Sequence, residues 1–472
     1  MRVEKDLIGV LEIDEDVYYG IQTARACQNF SISGLTIELY PHLIKSMAYI
    51  KKAAALSNHS VGALDPEKKD VICQAIDEIV NGEMVNQFPV DIYHAGGGIS
   101  INMNVNEVIA NRANELLTGY KGYDCIHPNE HVNMSQSTND VLASAMKMAC
   151  FFYIDDLLIS LNKIERTLAN KTDEFSGVVK IARTCLQDAV PITLGQQFSG
   201  YHSFIKRQII EMKKRQKDCL SIVIGATAVG TGIGVAPGYT EKMYEYLPEI
   251  SQVAVIKMDN FFDGLQNADI YIKISSCLKG LSSGLSKMAS DLRLLSSGPR
   301  AGFAEIILPA VQPGSSIMPG KINPCIPEMM MQVCFDVYGN DQAITFAVDR
   351  GELDLNIWEP IILKNIFDSF SILTKCITLF TEKCLNGIEA NKMVCLNNAE
   401  SSLSLSVVIS SLFGYQAANE VALAAYERKL TVREVAVEKG FLSEAEAAEL
   451  LNPANLIDSV KMQHLLNSRL HQ

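Results

Sequence analysis

One loop in the second half of the chain carries residue types suited to chemistry at a carboxylate. Residues 314–324 read GSSIMPGKINP, so Ser315 and Ser316 follow a glycine, and backbone N–H groups are accessible to an anion. Lys321 can pair with a carboxylate, and Asn323 can donate a hydrogen bond to the same group. Such a clamp beside a serine predicts chemistry next to that carboxylate. Composition alone also allows a mobile surface loop without chemistry.

A second polar stretch, NMSQSTND at residues 133–140, consists mostly of short hydrogen-bonding side chains. Ser137, Thr138 or Asn139 can cap the helix that periodicity predicts from Asp140 onward. A cap and an anion use the same free N–H groups at a helix N-terminus. Helix capping and ligand binding are therefore compatible interpretations of this stretch.

Two further polar stretches lie between predicted helices. Residues 183–191 (RTCLQDAVP) contribute Thr184 and Cys185, and residues 94–106 read HAGGGISINMNVN. A lone buried cysteine is usually only a packing residue. Loops that meet at the ends of long helices are the expected place for a shared site.

Composition excludes several classes of function. The 472 residues carry a net charge of −13 without a basic run, which argues against nucleic acid and anionic membranes as partners. The twelve cysteines form no CxxC motif and cluster with no histidine, so we expect no metal or other cofactor. The charged N-terminus and the lack of an apolar stretch of about 18 residues predict a cytoplasmic protein without a membrane span.

Helical periodicity dominates the chain and predicts an all-α protein built around a large helix bundle. Six runs show the pattern, and most of them contain no internal proline. They are residues 107–117, 140–163, 198–223, 271–295, 323–346 and 360–385. The last 80 or so residues predict short amphipathic helices in a small separate domain.

Several sequence blocks together resemble the aspartase/fumarase superfamily of lyases, and more closely its aspartase branch. The blocks are GSSIMPGKINP, SINMNVNEVIANRA, HVNMSQSTND, LQDAVPI, GATAVGTG and DLRLLSSGPRAG. The resemblance implies a three-domain helical protomer, with domains at 1–138, 139–393 and 394–472. It also implies a homotetramer around a long shared helix bundle, with each active site built from three subunits.

The resemblance further implies a reaction and a role for each polar residue. The family removes a proton beside a carboxylate through an aci-carboxylate intermediate and then expels an amine or water from the neighbouring carbon. The match makes Ser315 the base and assigns the carboxylate on the carbon bearing the leaving group to Thr184, Lys321 and Asn323. It places Ser137, Thr138 and Ser316 at the group that activates the proton, and Asn139 at the leaving amine.

Two residues depart from the family pattern as it stands in aspartases. Ile99 replaces a threonine in the block GISINMN, and Cys185 replaces a histidine in RTCLQDA. The lost threonine would donate to the second carboxylate, and the lost histidine would face the amine. The pattern favours a substrate with a less polar activating group and an amine that donates no hydrogen bond, such as the betaine ergothioneine, which would release trimethylamine.

Three hypotheses remain open from the sequence. The first is a carbon–nitrogen lyase for a modified amino-acid or betaine substrate, with Ile99 and Cys185 setting specificity. The second is an ordinary aspartate ammonia-lyase that tolerates both residues. The third is a non-catalytic relative, against which the intact loop around Ser315 argues.

Overall fold

α-Helices make up most of the chain, so the predicted all-α class is confirmed. The computed structural model describes residues 1–470, with side chains through Ser468. The helices in this range are α1 Ile21–Asn29, α2 Pro41–Ser60, α3 Pro66–Val80, α4 Ile99–Thr118, α5 Thr138–Glu174, α6 Leu194–Asp218, α7 Tyr239–Ser251, α8 Phe261–Gln266, α9 Asp269–Leu295, α10 Cys325–Asp349, α11 Glu359–Lys383, α12 Lys392–Ser401, α13 Ser406–Phe413, α14 Tyr415–Arg428, α15 Val432–Glu438, α16 Glu444–Leu450, α17 Pro453–Leu456 and α18 Ser459–Leu470. None of them combines the length and apolar character that a membrane span requires.

The strands are short and pair two by two. They are β1 Arg2–Lys5, β2 Val10–Ile13, β3 Val179–Thr184, β4 Gln187–Thr193, β5 Ser221–Ile222, β6 Ile256–Lys257, β7 Ile306–Ile307 and β8 Glu389–Ala390. β1 and β2, β3 and β4, and β7 and β8 are antiparallel, whereas β5 and β6 are parallel. Within residues 1–470, the strands therefore form local two-stranded ribbons and no central sheet.

The six predicted helical runs correspond to α4, α5, α6, α9, α10 and α11. One predicted end was wrong, because α6 stops at Asp218 and residues 221–222 form β5. The carbonyl groups of Leu220 and Ile222 accept hydrogen bonds from Ile256 and Met258, at 2.8 and 3.0 Å. Periodicity cannot separate a short buried strand from the last turn of a buried helix.

The chain divides into two compact units, each made of three segments. Unit 1 comprises Met1–Ile159, Ile210–Ser282 and Phe335–Thr374, and unit 2 comprises Ser160–Ile209, Ser283–Cys334 and Lys375–Gln472. The three-domain division at residues 138/139 and 393/394 stays a prediction.

In unit 1, α2 packs against α3 and α7, and α3 packs against α4. Fourteen of the 20 residues of α4 are buried, among them Asn102, Asn104 and Asn106. Buried amides need hydrogen-bond partners. This helix therefore brings a polar layer into the interior, directly behind the NMSQSTND loop.

In unit 2, the antiparallel pair β3–β4 forms a hairpin that packs against α12. A second core lies in the last 70 residues, where the short helices α13 to α16 bury Val408, Ile409, Val421, Val432 and Val435. This compact cluster agrees with the predicted short amphipathic helices near the C-terminus.

Candidate active site

The hydroxyl oxygen of Ser315 accepts two backbone hydrogen bonds within the loop of residues 314–324. The donors are the N–H groups of Ile317, at 3.2 Å, and Met318, at 3.0 Å. N–H groups aimed at an oxygen favour its negatively charged form. The arrangement suits a serine that must act as a base, and this role stays a prediction.

The two ends of the same loop are joined through Gly314. Its N–H donates to the carbonyl of Lys321 at 2.8 Å, and its carbonyl accepts from the Asn323 amide at 2.9 Å. A Cβ at Gly314 would lie 2.6 Å from the Lys321 carbonyl oxygen, so the closure requires glycine. One of the two N–H groups of Asn323 is thus used inside the loop, and the second is left for a ligand.

Lys321 and Ser316 are both exposed in this loop. Among the residues that the structure describes, no acidic side chain forms an ion pair with the Lys321 ammonium. A carboxylate ligand can therefore bind this ammonium without first displacing a protein carboxylate.

Thr184 and Cys185 lie at the tip of the β3–β4 hairpin. Thr184 pairs with Gln187, and the two residues between them, Cys185 and Leu186, both have left-handed backbone conformations with φ of 53° and 61°. Two left-handed residues are typical of the type I′ turn that joins antiparallel strands. Cys185 is exposed and is therefore not a buried packing residue, and its role in specificity stays a prediction.

A buried ionic cluster holds strand β3 of that hairpin in place. Glu305 is fully buried and forms ion pairs of 2.8 Å with both Lys180 and Arg183. The Arg183 guanidinium also lies over the Phe303 ring, 4.3 Å from its centre. These contacts hold the strand that leads directly into Thr184.

Ile99 begins α4 in unit 1, after three glycines that all have positive φ angles. Gly98, the last of them, has a φ of 80°, and a Cβ there would lie 2.0 Å from the Leu142 side chain. Ile99 is 42% exposed and lines a pocket of about 340 Å³ with Leu7 and Ile8. The side chain that departs from the family pattern therefore faces a partly apolar opening.

The NMSQSTND loop leads into α5, which begins at Thr138. The Ser137 hydroxyl accepts a hydrogen bond from the Asn139 N–H at 3.2 Å, so the predicted capping role is confirmed for Ser137. The Asn139 side-chain amide donates to the carbonyl of Ala228 at 2.7 Å. Since a carbonyl only accepts, the amide nitrogen must face Ala228, and the Asn139 side-chain oxygen remains an acceptor for a ligand.

Asp140 is a buried residue that sequence reasoning treated only as the start of a helix. Its carboxylate accepts from the N–H groups of Ser137, Gly225 and Thr227, at 2.9, 3.1 and 3.0 Å. Burial raises the pKa of Asp140 to about 6, although these hydrogen bonds oppose the shift. The residue ties the GATAVGTG block to the NMSQSTND loop.

Lys51 in α2 is the second residue that the sequence did not single out. It is 1% exposed, and its ammonium donates to the side-chain oxygen of Asn133 at 2.9 Å. Burial lowers the pKa of Lys51 to about 7, and the nearby Asp140 carboxylate partly opposes this shift. The sequence carries no signal for this burial, because Lys52 stands beside Lys51 in the same stretch, KKAAAL.

The predicted site residues divide between the two units. Unit 1 holds Ile99, Ser137, Thr138 and Asn139, and unit 2 holds Thr184, Cys185, Ser315, Ser316, Lys321 and Asn323. Within unit 1, the Asn102 amide donates to the Thr138 hydroxyl at 2.9 Å and so connects α4 to the loop. Within unit 2, Gly314 joins Lys321 and Asn323 to the serine loop.

Comparison with known proteins gives a consistent result over nearly the whole chain. A lyase family model matches residues 9–339, and a model of the fumarase C C-terminus matches residues 408–458. Aspartate ammonia-lyase from Bacillus sp is 46% identical over 96% of this chain and 97% of its own length.

Two solved structures are also similar. The fumarate lyase:delta crystallin from Brucella melitensis bound to cobalt has a TM-score of 0.94 and 42% identity, covering 97% of this chain and 99% of that one. The class II fumarase from Schistosoma mansoni has a TM-score of 0.93 and 33% identity, with the same coverage of both chains.

Proposed function

Because the chain belongs to the aspartase/fumarase superfamily and is a carbon–nitrogen lyase, we propose that it converts aspartate to fumarate and ammonia, with Ser315 as the base. The observation that carries the mechanism is the pair of backbone N–H groups on the Ser315 hydroxyl oxygen, at 3.2 and 3.0 Å. These donors stabilise the alkoxide that takes the proton from the carbon beside the second carboxylate.

Proton removal creates an aci-carboxylate with two negative charges on the activating group. Such charge needs several preorganised donors. The hydroxyls of Ser137, Thr138 and Ser316 supply them in this proposal, and the carboxylate on the carbon bearing the amine binds Thr184, Lys321 and Asn323. The electron pair of the broken C–H bond then forms the double bond, the C–N bond breaks, and ammonia leaves with its bonding pair.

Asn139 supports aspartate as the substrate. Its side-chain oxygen is left to accept because its amide nitrogen faces the Ala228 carbonyl at 2.7 Å. An acceptor suits a primary ammonium, which donates hydrogen bonds, better than a trimethylammonium, which has no N–H group to donate. The 46% identity to an aspartate ammonia-lyase over 96% of the chain supports the same choice.

A second candidate is elimination from an amine whose activating group is less polar, such as ergothioneine. Ile99 favours it, because this side chain is 42% exposed and borders the pocket formed with Leu7 and Ile8. The exposed Cys185 at the hairpin tip adds a weak donor where aspartases have histidine. The relatives support this candidate less well than aspartate.

One experiment separates the two candidates. The purified enzyme is assayed for ultraviolet-absorbing alkene product with aspartate and, in parallel, with ergothioneine. Turnover of aspartate with no reaction of ergothioneine supports the proposed function. Turnover of ergothioneine with negligible reaction of aspartate refutes aspartate as the substrate and leaves the lyase class intact.

The assembly and the location are also part of the proposal. A homotetramer with active sites shared between subunits would bring residues of different subunits to one substrate. A cytoplasmic location fits a small amino-acid substrate and twelve cysteines that form no disulfide. Size-exclusion chromatography with light scattering tests the assembly, and a protomer mass in solution would contradict it.

A further inference from the structure

A buried polar network connects Lys51 to Thr138 inside unit 1. The side-chain oxygen of Asn133 accepts three hydrogen bonds, from Lys51 at 2.9 Å, Asn102 at 3.1 Å and Asn106 at 3.1 Å. The Asn102 amide nitrogen also donates to the Thr138 hydroxyl at 2.9 Å. Lys51, Asn102 and Asn106 are at most 1% exposed, and Thr138 is 8% exposed.

The lysine ammonium and a backbone carbonyl together determine the direction of every hydrogen bond in this network, because the Asn133 amide nitrogen also donates to the carbonyl of Gln136 at 3.2 Å. An ammonium can only donate, so the Asn133 amide must turn its oxygen toward Lys51. Asn102 and Asn106 must then turn their NH₂ groups toward the same oxygen. The second N–H of Asn102 consequently points at the Thr138 oxygen, which acts as the acceptor.

This direction leaves the Thr138 hydroxyl proton for another partner. Within residues 1–468, no side-chain or backbone acceptor receives a hydrogen bond from that hydroxyl. The amide oxygens of Asn102 and Asn106 are buried and find no partner among the same residues. If these two side-chain amides could rotate without restriction, their oxygens would turn toward hydrogen-bond donors. The observed orientation of the amides therefore requires other groups that fix it. The Lys51 ammonium and the Gln136 carbonyl fix it together, one at the oxygen and the other at the nitrogen of the Asn133 amide.

We propose that Lys51 is a positioning residue, which orients the Thr138 hydroxyl through Asn133 and Asn102 so that its proton is donated to the anionic activating group of the substrate. This inference rests on the proposed function, in which Thr138 contacts that group. Lys51 itself touches no substrate. Its role is to keep the Asn102 amide oxygen turned away from Thr138, so that the Thr138 hydroxyl cannot donate to it.

A double-mutant cycle tests this role. The variants are Lys51→Met, Thr138→Val and the double variant, with kcat and KM measured separately for aspartate at pH 6, where Lys51, with a pKa of about 7, is mostly charged. The matched control is Lys52→Met, since the next lysine of α2 forms an ion pair with Asp77 instead of entering the network. A hydrogen bond to a charged group corresponds to roughly 10- to 100-fold in kcat/KM, so we expect that loss for Thr138→Val.

Lys51→Met should lower kcat/KM by about tenfold in the wild-type background and by no more than about twofold in the Thr138→Val background, because the two side chains act through one hydrogen bond. The Lys52→Met variant should stay within about twofold of wild type. Equal losses from Lys51→Met in both backgrounds would show a general structural effect and overturn the inference. An unchanged kcat/KM in Lys51→Met would overturn it as well.

Asn102→Asp provides a test that does not depend on folding of Lys51→Met. This isosteric change replaces both donors of Asn102 with acceptors, so the Thr138 proton should turn inward toward the new carboxylate. We expect the same loss as in Thr138→Val and little further loss when the two are combined. Wild-type kcat/KM in Asn102→Asp would contradict the inference.

Binding of succinate separates this inference from the proposed function. Succinate is a dicarboxylate without an amine, and calorimetry gives its Kd for each variant without turnover. Suppose that the enzyme does not convert aspartate, but that Lys51→Met weakens succinate binding only when Thr138 is present. This result refutes the proposed function and retains the inference. An enzyme that converts aspartate but shows independent losses refutes only the inference, and wild type that does not bind succinate refutes it too.

Discussion

Replacing Lys51 by methionine should change how the free energy of unfolding depends on pH. Methionine has nearly the same length and buries no charge, so the change removes the ammonium with little loss of packing. The folded protein holds the pKa of Lys51 at about 7, against 10.5 for the unperturbed side chain, because the group is buried. Between those values the unfolded chain binds the proton and the folded chain does not.

This difference in bound protons determines whether stability rises or falls with pH. Stability rises with pH wherever the unfolded state binds more protons, so Lys51 makes the wild type more stable as pH increases from 7 toward 10.5. In the folded protein, Lys51 is half deprotonated at pH 7 and almost fully deprotonated at pH 9. At 1.36 kcal/mol per unit, this window corresponds to about 2 kcal/mol of free energy of unfolding. The wild type should therefore gain about 2 kcal/mol over Lys51→Met across this window.

Three other buried acids also respond to pH. Burial raises the pKa of Asp140 to about 6, that of Glu107 to about 7 and that of Glu359 to about 8. Glu107 and Glu359 titrate alike in both proteins, whereas removal of the Lys51 charge raises the pKa of Asp140 further in Lys51→Met. This shift makes the variant less stable as pH rises, so it adds to the expected difference, which reports on Lys51 and Asp140 together.

Urea unfolding at fixed protein concentration provides the assay, with the single tryptophan, Trp358, as the fluorescent probe. Lys52→Met is the control and should follow the wild-type curve. If the wild-type and Lys51→Met free energies stay parallel within about 0.5 kcal/mol from pH 7 to pH 9, the ammonium is not buried as described and the argument is refuted.

The remaining predictions concern the reaction. Ser315→Ala should lower kcat by about 10²–10⁴-fold while the oligomer stays intact, and a variant that keeps more than roughly a tenth of the wild-type rate contradicts Ser315 as the base. Lys321→Met should reduce kcat/KM for every substrate alike, since it removes the cation for the shared carboxylate. Ile99→Thr combined with Cys185→His should raise aspartate turnover relative to any betaine, and an unchanged ratio of kcat/KM values excludes these positions as specificity determinants. Activity should survive dialysis against a chelator, and a loss that only a divalent ion restores would show a metal requirement.

Sequence patterns predicted the helices well because their apolar periodicity survives burial in a bundle. The six long runs all proved helical, and the main error was the end of α6, where Ile222 enters a short parallel strand. Small antiparallel pairs such as β3–β4 were not predicted, since their pairing depends on contacts that a local pattern does not contain. The polar loops were found because glycine and short hydrogen-bonding residues interrupt the helical periodicity.

Prediction was weaker for residues whose role depends on tertiary burial. Lys51 is an ordinary helical lysine in the sequence, and only packing of α2 against its neighbours makes it an enclosed charge. Asp140 resembles a common first-turn acid, yet it accepts hydrogen bonds from residues more than 80 positions away. The sequence pattern did not predict the place of Cys185 at a two-residue turn, which follows from strand pairing.

The left-handed backbone at the hairpin tip affects how this enzyme could be diversified in the laboratory. Cys185 and Leu186 both occupy a conformation that costs a non-glycine residue roughly 1–2 kcal/mol each. Asparagine, aspartate and glycine tolerate this conformation best, so a library at position 185 would be biased toward them for reasons unrelated to substrate. Selections at this turn should therefore compare variants at equal amounts of folded protein, or gains in backbone stability will be mistaken for changes in substrate preference.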